Sequence, residues 1–154
     1  MLKKIKEYIT EFSKNSPDED HLEETKTSLI NNACAALLIE TAFADKIFNE
    51  AELNSMKETL IKVYEIESKD VEQIINDSKQ TVSDSTSLYE YTRLINDLCD
   101  YRDKVLLINN LWIIAFADNQ LDKYEEYLIR KISGLLHVNH SDFIQEKIKV
   151  KESL

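Results

Sequence analysis

The sequence predicts an all-α fold, a single helical-bundle domain of seven to eight helices, and three observations carry that prediction. Apolar residues recur at three- and four-residue spacing along almost the whole chain. No five-residue stretch of alternating apolar and polar residues competes as a strand. The 154 residues include one Gly and one Pro, whereas an average chain carries roughly 7% and 5% of these. So few glycines leave little material for tight hairpin turns or for phosphate loops lined by backbone. Dinucleotide folds, P-loops and hairpin-rich β proteins are therefore excluded.

Leu2, Ile5, Ile9 and Phe12 form one stripe, which predicts an amphipathic first helix over 2–13, peripheral to the rest and ending before Pro17. Asp18, Glu19, Asp20, Glu23 and Glu24 gather at the start of the next helix, where the macrodipole favours negative side chains. That helix runs from Leu22 to about Ala44 through Leu29, Ala33, Ala36, Leu37 and Glu40, and its alanine-rich middle predicts close packing. Residues 50–65 give a third helix through Leu53, Met56, Leu60, Ile61 and Tyr64. Ser68 opens a short fourth one carrying Val71, Ile74 and Ile75. The polar stretch Lys79 to Ser87 reads as the main connection between two halves. After it, Ser87 and Glu90 have capping-box spacing ahead of Leu88, Tyr91, Leu94, Ile95 and Leu98. The most apolar helix covers about 102–117, with Val105, Ile108, Leu111, Trp112 and Ala115 facing inward, and helices at 123–137 and 141–149 complete the chain.

Charge narrows the function. A net charge of −10 repels polyanions, so no nucleic acid is expected as a partner. The clean apolar run Leu111 to Ala117 falls far short of the roughly 20 residues that span a bilayer, so no transmembrane segment is expected. Glu7, Glu11 and Lys14 interrupt any signal-peptide core behind Lys3, Lys4 and Lys6, and the expected location is cytoplasmic. Cys34 and Cys99 form no metal or redox motif and read as reduced thiols in apolar helices. No Glu-x-x-His pair supports a di-iron bundle, and no nucleophile elbow supports a hydrolase. His137 and His140 span a helix end with no third ligand nearby and read as surface histidines. Tyr89, Tyr91 and Tyr101 are read as partly buried packing, with a contact surface as the alternative.

The chain also repeats itself, in halves of approximately 22–78 and 88–149. AFADKIFNEAE at 42–52 answers AFADNQLDKYE at 115–125, which places Asp118 73 residues after Asp45. Further on, YEIESKDV at 64–71 answers LHVNHSDF at 136–143 with one residue dropped. Each copy reads as a long helix, an acidic loop, a second helix and a short third one, and two such copies bury each other's apolar faces.

At these residues the sequence resembles the TerB-like family, the tellurite-resistance protein B group. The second copy carries the pattern most fully, in Leu111, Trp112, Ala115, Ala117, Asp118, Leu121, Asp122, Glu125, Ile129 and Arg130, with Arg102 upstream. The first copy matches at Leu37, Glu40, Ala42, Ala44, Asp45, Phe48 and Glu52, with Asn49 in place of an aspartate. Lys46 and Asn119 stand where the family has glycine, and Asn tolerates a left-handed backbone better than Lys. The resemblance spans roughly residues 25–148 and implies an all-helical, non-enzymatic protein associated with tellurite and stress response, with an acidic cluster that binds metal. Through a related domain in a DnaJ-like co-chaperone, it also implies an alternative, a protein-interaction module whose acidic face meets a basic protein partner.

The acidic loops themselves read two ways. Asn49 and Glu52, like Asp122 and Glu125, stand at cap and third-helical positions, with Phe48 and Leu121 where a hydrophobic staple belongs. Asp45 and Asp118 sit instead at the C-terminal ends of apolar helices, where the macrodipole opposes their charge. Their partner is loop backbone N–H, an arginine such as Arg102 or Arg130, or a divalent cation. If the loops are adjacent, Asp45, Glu52, Asp118, Asp122 and Glu125 present hard oxygen ligands suited to calcium, magnesium or manganese. This is not an EF-hand, because Met56 and Ile129 stand where its final glutamate belongs.

Overall fold

A computed structural model describes residues 19–43, 50–80, 85–117, 119 and 121–154 of the chain, with side-chain surroundings for these except 19–25, 77–80 and 85–87. The described residues form seven helices and no strand. They are α1 (Glu19–Ala42), α2 (Glu50–Lys62), α3 (Ser68–Gln80), α4 (Ser85–Leu98), α5 (Tyr101–Ala115), α6 (Lys123–Leu135) and α7 (His140–Glu152). The helix expected over 2–13 lies outside the described residues.

Two helices organise the bundle. Residues Ala33 to Ile39 of α1 are buried without a break, so this stretch is covered on all sides rather than along one stripe. The small side chains of Ala33, Ala35 and Ala36 let neighbours approach its backbone, and α1 packs against α2, α3, α4, α5 and α6. The second organiser, α5, buries Leu107, Ile108, Leu111, Trp112, Ile114 and Ala115 and packs against α1, α2, α6 and α7. Trp112 is fully buried, its ring centroid 5.9 Å from that of Phe116 and 5.1 Å from that of Phe143 on α7. Its indole N–H donates to the Phe143 carbonyl at 3.3 Å, so burial leaves no polar atom of the ring unmatched.

Most helix limits fall within two or three residues of expectation, and the departures have local causes. α1 opens at Glu19, inside the acidic run that the macrodipole favours there. α4 opens at Ser85, so Ser87 lies in its first turn and the Ser87–Glu90 pair is no capping box. Its inward face is as read, with Leu88, Tyr91 and Ile95 buried. α5 ends at Ala115 because the Ala117 N–H turns back to the Ile114 carbonyl at 3.2 Å, a tighter turn than α-helix.

The helices α2 and α6 each have 13 residues, as do α3 and α7. The turns after α2 and α6 both pass through a left-handed residue, Glu65 at φ 54° and His137 at φ 59°. After α6 the turn closes with the Val138 N–H on the Ser133 carbonyl and the His137 N–H on that of Gly134, a Schellman arrangement. After α2 the closing bond runs from the Ile66 N–H to Leu60, one residue wider. The closing turns of these two helix ends thus differ by one residue in width.

Both cysteines are free thiols, Cys34 buried in α1 and Cys99 half-buried after α4. Burial pushes the Cys99 thiol up to about 11, with the carboxylates of Asp103 and Asp100 adding to it, and burial raises Cys34 further. The Tyr64 hydroxyl, which accepts from the Asn110 side-chain amide at 2.9 Å, is also raised, mainly by burial. Folding therefore favours the protonated forms of all three. The Cys99 contribution is complete below about pH 8.5, the range of an unfolded thiol, and is lost as pH rises through about 11, whereas those of Cys34 and Tyr64, raised further, persist to higher pH. Iodoacetamide at pH 8 is expected to label native Cys99 roughly a hundredfold slower than a free thiol, and Cys34 only on unfolding, as mass spectrometry of the alkylated chain will read.

Candidate functional site

The acidic loop before α6 is described at Asn119, Leu121 and Asp122. Asn119 adopts φ 63°, the left-handed conformation that the family glycine would supply, and its N–H donates to the Phe116 carbonyl at 2.9 Å. Asn reaches this region at low cost because its short amide substitutes locally for backbone hydrogen bonds. Lys46, the matching residue of the other loop, lies outside the described residues.

Asp122 is the N-cap of α6, with φ −77° and ψ 139°. Its Oδ1 accepts from the backbone N–H of Tyr124 at 2.7 Å and of Glu125 at 3.4 Å. This satisfies donors that the first helical turn leaves open. Replacing Asp122 by Ala is expected to cost about 1 kcal/mol of unfolding free energy, and Asp122→Asn about half or less, in urea titrations followed by circular dichroism. Leu121 is half-buried at the staple position, whereas Glu126 turns to another task, an ion pair with Lys147 of α7 at 2.7 Å. That lysine lies 5.5 Å from the Trp112 ring centroid, so the α6–α7 pairing is held over the centre of the core.

The glutamates in the first turns of α2 and α6 are both buried. Glu52 is 5% exposed in the first turn of α2, and Glu125 is 0% exposed in the first turn of α6. A carboxylate so placed keeps its charge only with donors or a cation beside it. Glu146 is a third buried carboxylate with partners of its own. It is 8% exposed on α7 and accepts from the Asn109 amide at 2.8 Å and from the Lys149 ammonium at 3.1 Å. Helical periodicity gave no sign of Glu146, because a carboxylate on an inward face resembles any polar interruption until its partners are known.

Of the five carboxylates singled out in the sequence, the structure places Glu52, Asp122 and Glu125 at first turns or caps, while Asp45 and Asp118 lie outside the described residues. Among the described residues no group of three or more His, Cys, Asp or Glu side chains is placed to hold a metal ion. The Arg130 guanidinium lies 5.9 Å from the Phe143 ring centroid, and Arg102 is exposed. His137 and His140 are exposed, and the His140 ring centroid is 5.5 Å from that of Phe143.

The tyrosines divide by role. Tyr91 is buried in the core, and Tyr89 is exposed. Tyr101 bridges to the start of α7, where its hydroxyl donates to the Asp142 carboxylate and accepts from the Asn139 N–H at 3.1 Å. The hydrogen bond to Asp142 raises its hydroxyl above the usual tyrosine range. Among the described residues the most exposed aromatics are two that the sequence did not single out, Tyr124 at 68% and Tyr127 at 66%, on the first two turns of α6. Their signal was the placement of two large rings off the Leu128–Ile129–Ile132 face, which wheel geometry alone makes visible.

Among the described residues no helix is long and apolar enough to cross a membrane. Neither curated proteins nor solved structures include a match to this chain. A family model described as tellurite resistance protein TerB matches residues 31–148, from the middle of α1 through most of α7, and takes in both acidic loops. The match covers more than three quarters of the chain, which therefore belongs to the TerB family.

Proposed function

We propose that this TerB-family chain is a non-enzymatic binding protein of tellurite and stress response, and that it holds a divalent cation on its two acidic loops. The observation that carries this reading is the pair of buried first-turn carboxylates, Glu52 and Glu125, each beside a loop that bears a further aspartate, Asp45 or Asp118. Asp122 adds an oxygen donor at the edge of the second loop. Oxygen-only donors of this kind fit calcium, magnesium or manganese. The chain's own contribution is to fix the donors, since the Asp122 cap and the left-handed Asn119 set the path of the loop. Thermal unfolding with and without each metal tests the reading, with Asp118→Ala and Asp45→Ala as the loop variants.

A second reading, a protein-interaction module without metal, draws support from Tyr124 and Tyr127. Large exposed rings beside a charged loop are the composition of an interface centre. On this reading, affinity capture from the native cytoplasm recovers a basic protein whose retention is lost in Tyr124→Ala/Tyr127→Ala and in Asp122→Ala. Capture that survives these replacements rejects it.

A further inference from the structure

The solvent side of α6 differs in charge from the chain as a whole. Glu125, Ile129, Ile132 and Ser133 form the buried side of this helix, so helical geometry puts Tyr127 and Gly134, seven residues apart, at the centre of the opposite side. Lys123, Tyr124, Arg130 and Lys131 flank them, over about 16 Å of helix from end to end. All six are exposed except Lys131, which is half-buried. Among the described residues none of the three cations is in an ion pair, and Glu126 at the edge of this side is already held by Lys147. A chain of net charge −10 thus shows here three cations free of carboxylates, set around two exposed rings.

Gly134 is the one glycine in the 154 residues, and neither conformation nor packing within this chain requires it. Its φ is not positive, and a Cβ added to it would meet no atom within 4 Å among the described residues. The turn after α6 does use a left-handed residue, but His137 fills that place while the glycine stands three residues earlier, in regular helix. Glycine there weakens the helix relative to alanine, and Lys123 in the first turn stands against the macrodipole. Both residues lie on the solvent side, and both cost the isolated fold stability. What glycine supplies in return is close approach, because another backbone can lie directly on a helix that has no side chain at that point.

We infer that this side of α6 docks a short acidic polypeptide segment of a partner protein, whose carboxylates meet Lys123, Arg130 and Lys131 and whose backbone passes over Gly134 beside the rings of Tyr124 and Tyr127. Charge complementarity selects the occupant. Pairing α6 with α6 of a second copy would bring the same three cations together, which like-charge repulsion opposes. A nucleic acid carries charge at every phosphate and would extend it past the strip onto the acidic remainder of the chain. A short acidic segment confines its carboxylates to the strip, and screening over about 8 Å at physiological salt limits what the distant carboxylates contribute. The proposal is independent of the cation reading, and the charge of the partner separates it from the interaction reading, whose partner is basic.

The test pans a displayed library of short random peptides on the immobilised full chain and measures the selected sequences, as synthetic fluorescein conjugates, by fluorescence anisotropy. Peptides rich in Asp and Glu are expected, with affinity lowered about tenfold by Lys123→Glu/Lys131→Glu and by Tyr124→Ala/Tyr127→Ala. Gly134→Ala is the variant that separates docking from folding. It is expected to raise Tm by about 1–4 °C and still to weaken binding several-fold, whereas a glycine without a docking role would gain the stability and lose no affinity. Because this replacement favours the fold, the test does not depend on a damaged protein. The proposal is overturned if no peptide is enriched, or if acidic peptides bind the Lys123→Glu/Lys131→Glu or Gly134→Ala chain as well as the wild type. It is equally overturned if basic peptides are enriched, the result the interaction reading expects, or if an oligothymidylate of matched length binds more tightly than any selected peptide.

Discussion

Replacing Trp112 by alanine is expected to lower the unfolding free energy by about 3–5 kcal/mol, the largest single-residue effect in this chain. The ring is fully buried, touches Phe116 and Phe143, and lies under the Lys147 ammonium. Its removal opens a cavity at the junction of α5 with α7, and the surrounding helices cannot collapse into it without losing their own contacts. The Phe143 carbonyl also loses the indole N–H that reaches it at 3.3 Å. Trp112→Phe keeps most of the packing and loses that donor, so its cost is expected to be well under that of alanine. Urea unfolding of the three proteins by circular dichroism checks the order. A cost below about 1 kcal/mol for alanine would show that α5 is not the centre of the fold.

The second large effect is metal-dependent stabilisation. A cation that binds the folded state alone contributes about 2.7 kcal/mol at a hundred times its dissociation constant. For a chain of this size that is a rise of about 5–10 °C in Tm. Calcium, magnesium and manganese at millimolar concentration are the expected ligands, and zinc is the comparison, since the loops offer oxygen rather than thiolate or imidazole donors. Asp118→Ala and Asp45→Ala should each abolish the rise. No rise in the wild-type chain with any of the metals sinks the cation reading. A rise that survives both replacements assigns the site to other residues. Asp122→Ala separates the two roles of the second loop, because loss of its cap lowers stability with or without metal.

Particular residues show why some of this was legible in the sequence. Asp122 could be read as a cap because capping depends on the next three residues, and the structure places its carboxylate on the N–H groups of Tyr124 and Glu125. Trp112 could be read as core because it falls on the apolar stripe of the most apolar helix. Asn119 could be read as a substitute for glycine because few residues other than Gly and Asn enter the left-handed region cheaply. Ser87 misled because its spacing to Glu90 imitates a cap, while the helix had already begun at Ser85.

By itself, then, the sequence determined the helical class, the inward faces, the cap at Asp122 and the family, all of which follow from spacings within one or two helical turns or from a motif. Tertiary structure alone decided that Glu125 is enclosed while Tyr124 and Tyr127 beside it stand in solvent, that Glu146 is buried between an amide and an ammonium, and that α2, α5 and α7 leave a groove between them. The reason is physical. Periodicity fixes which residues share a helix face, but whether that face meets water depends on helices distant in sequence, and so does the free-energy cost of each buried charge.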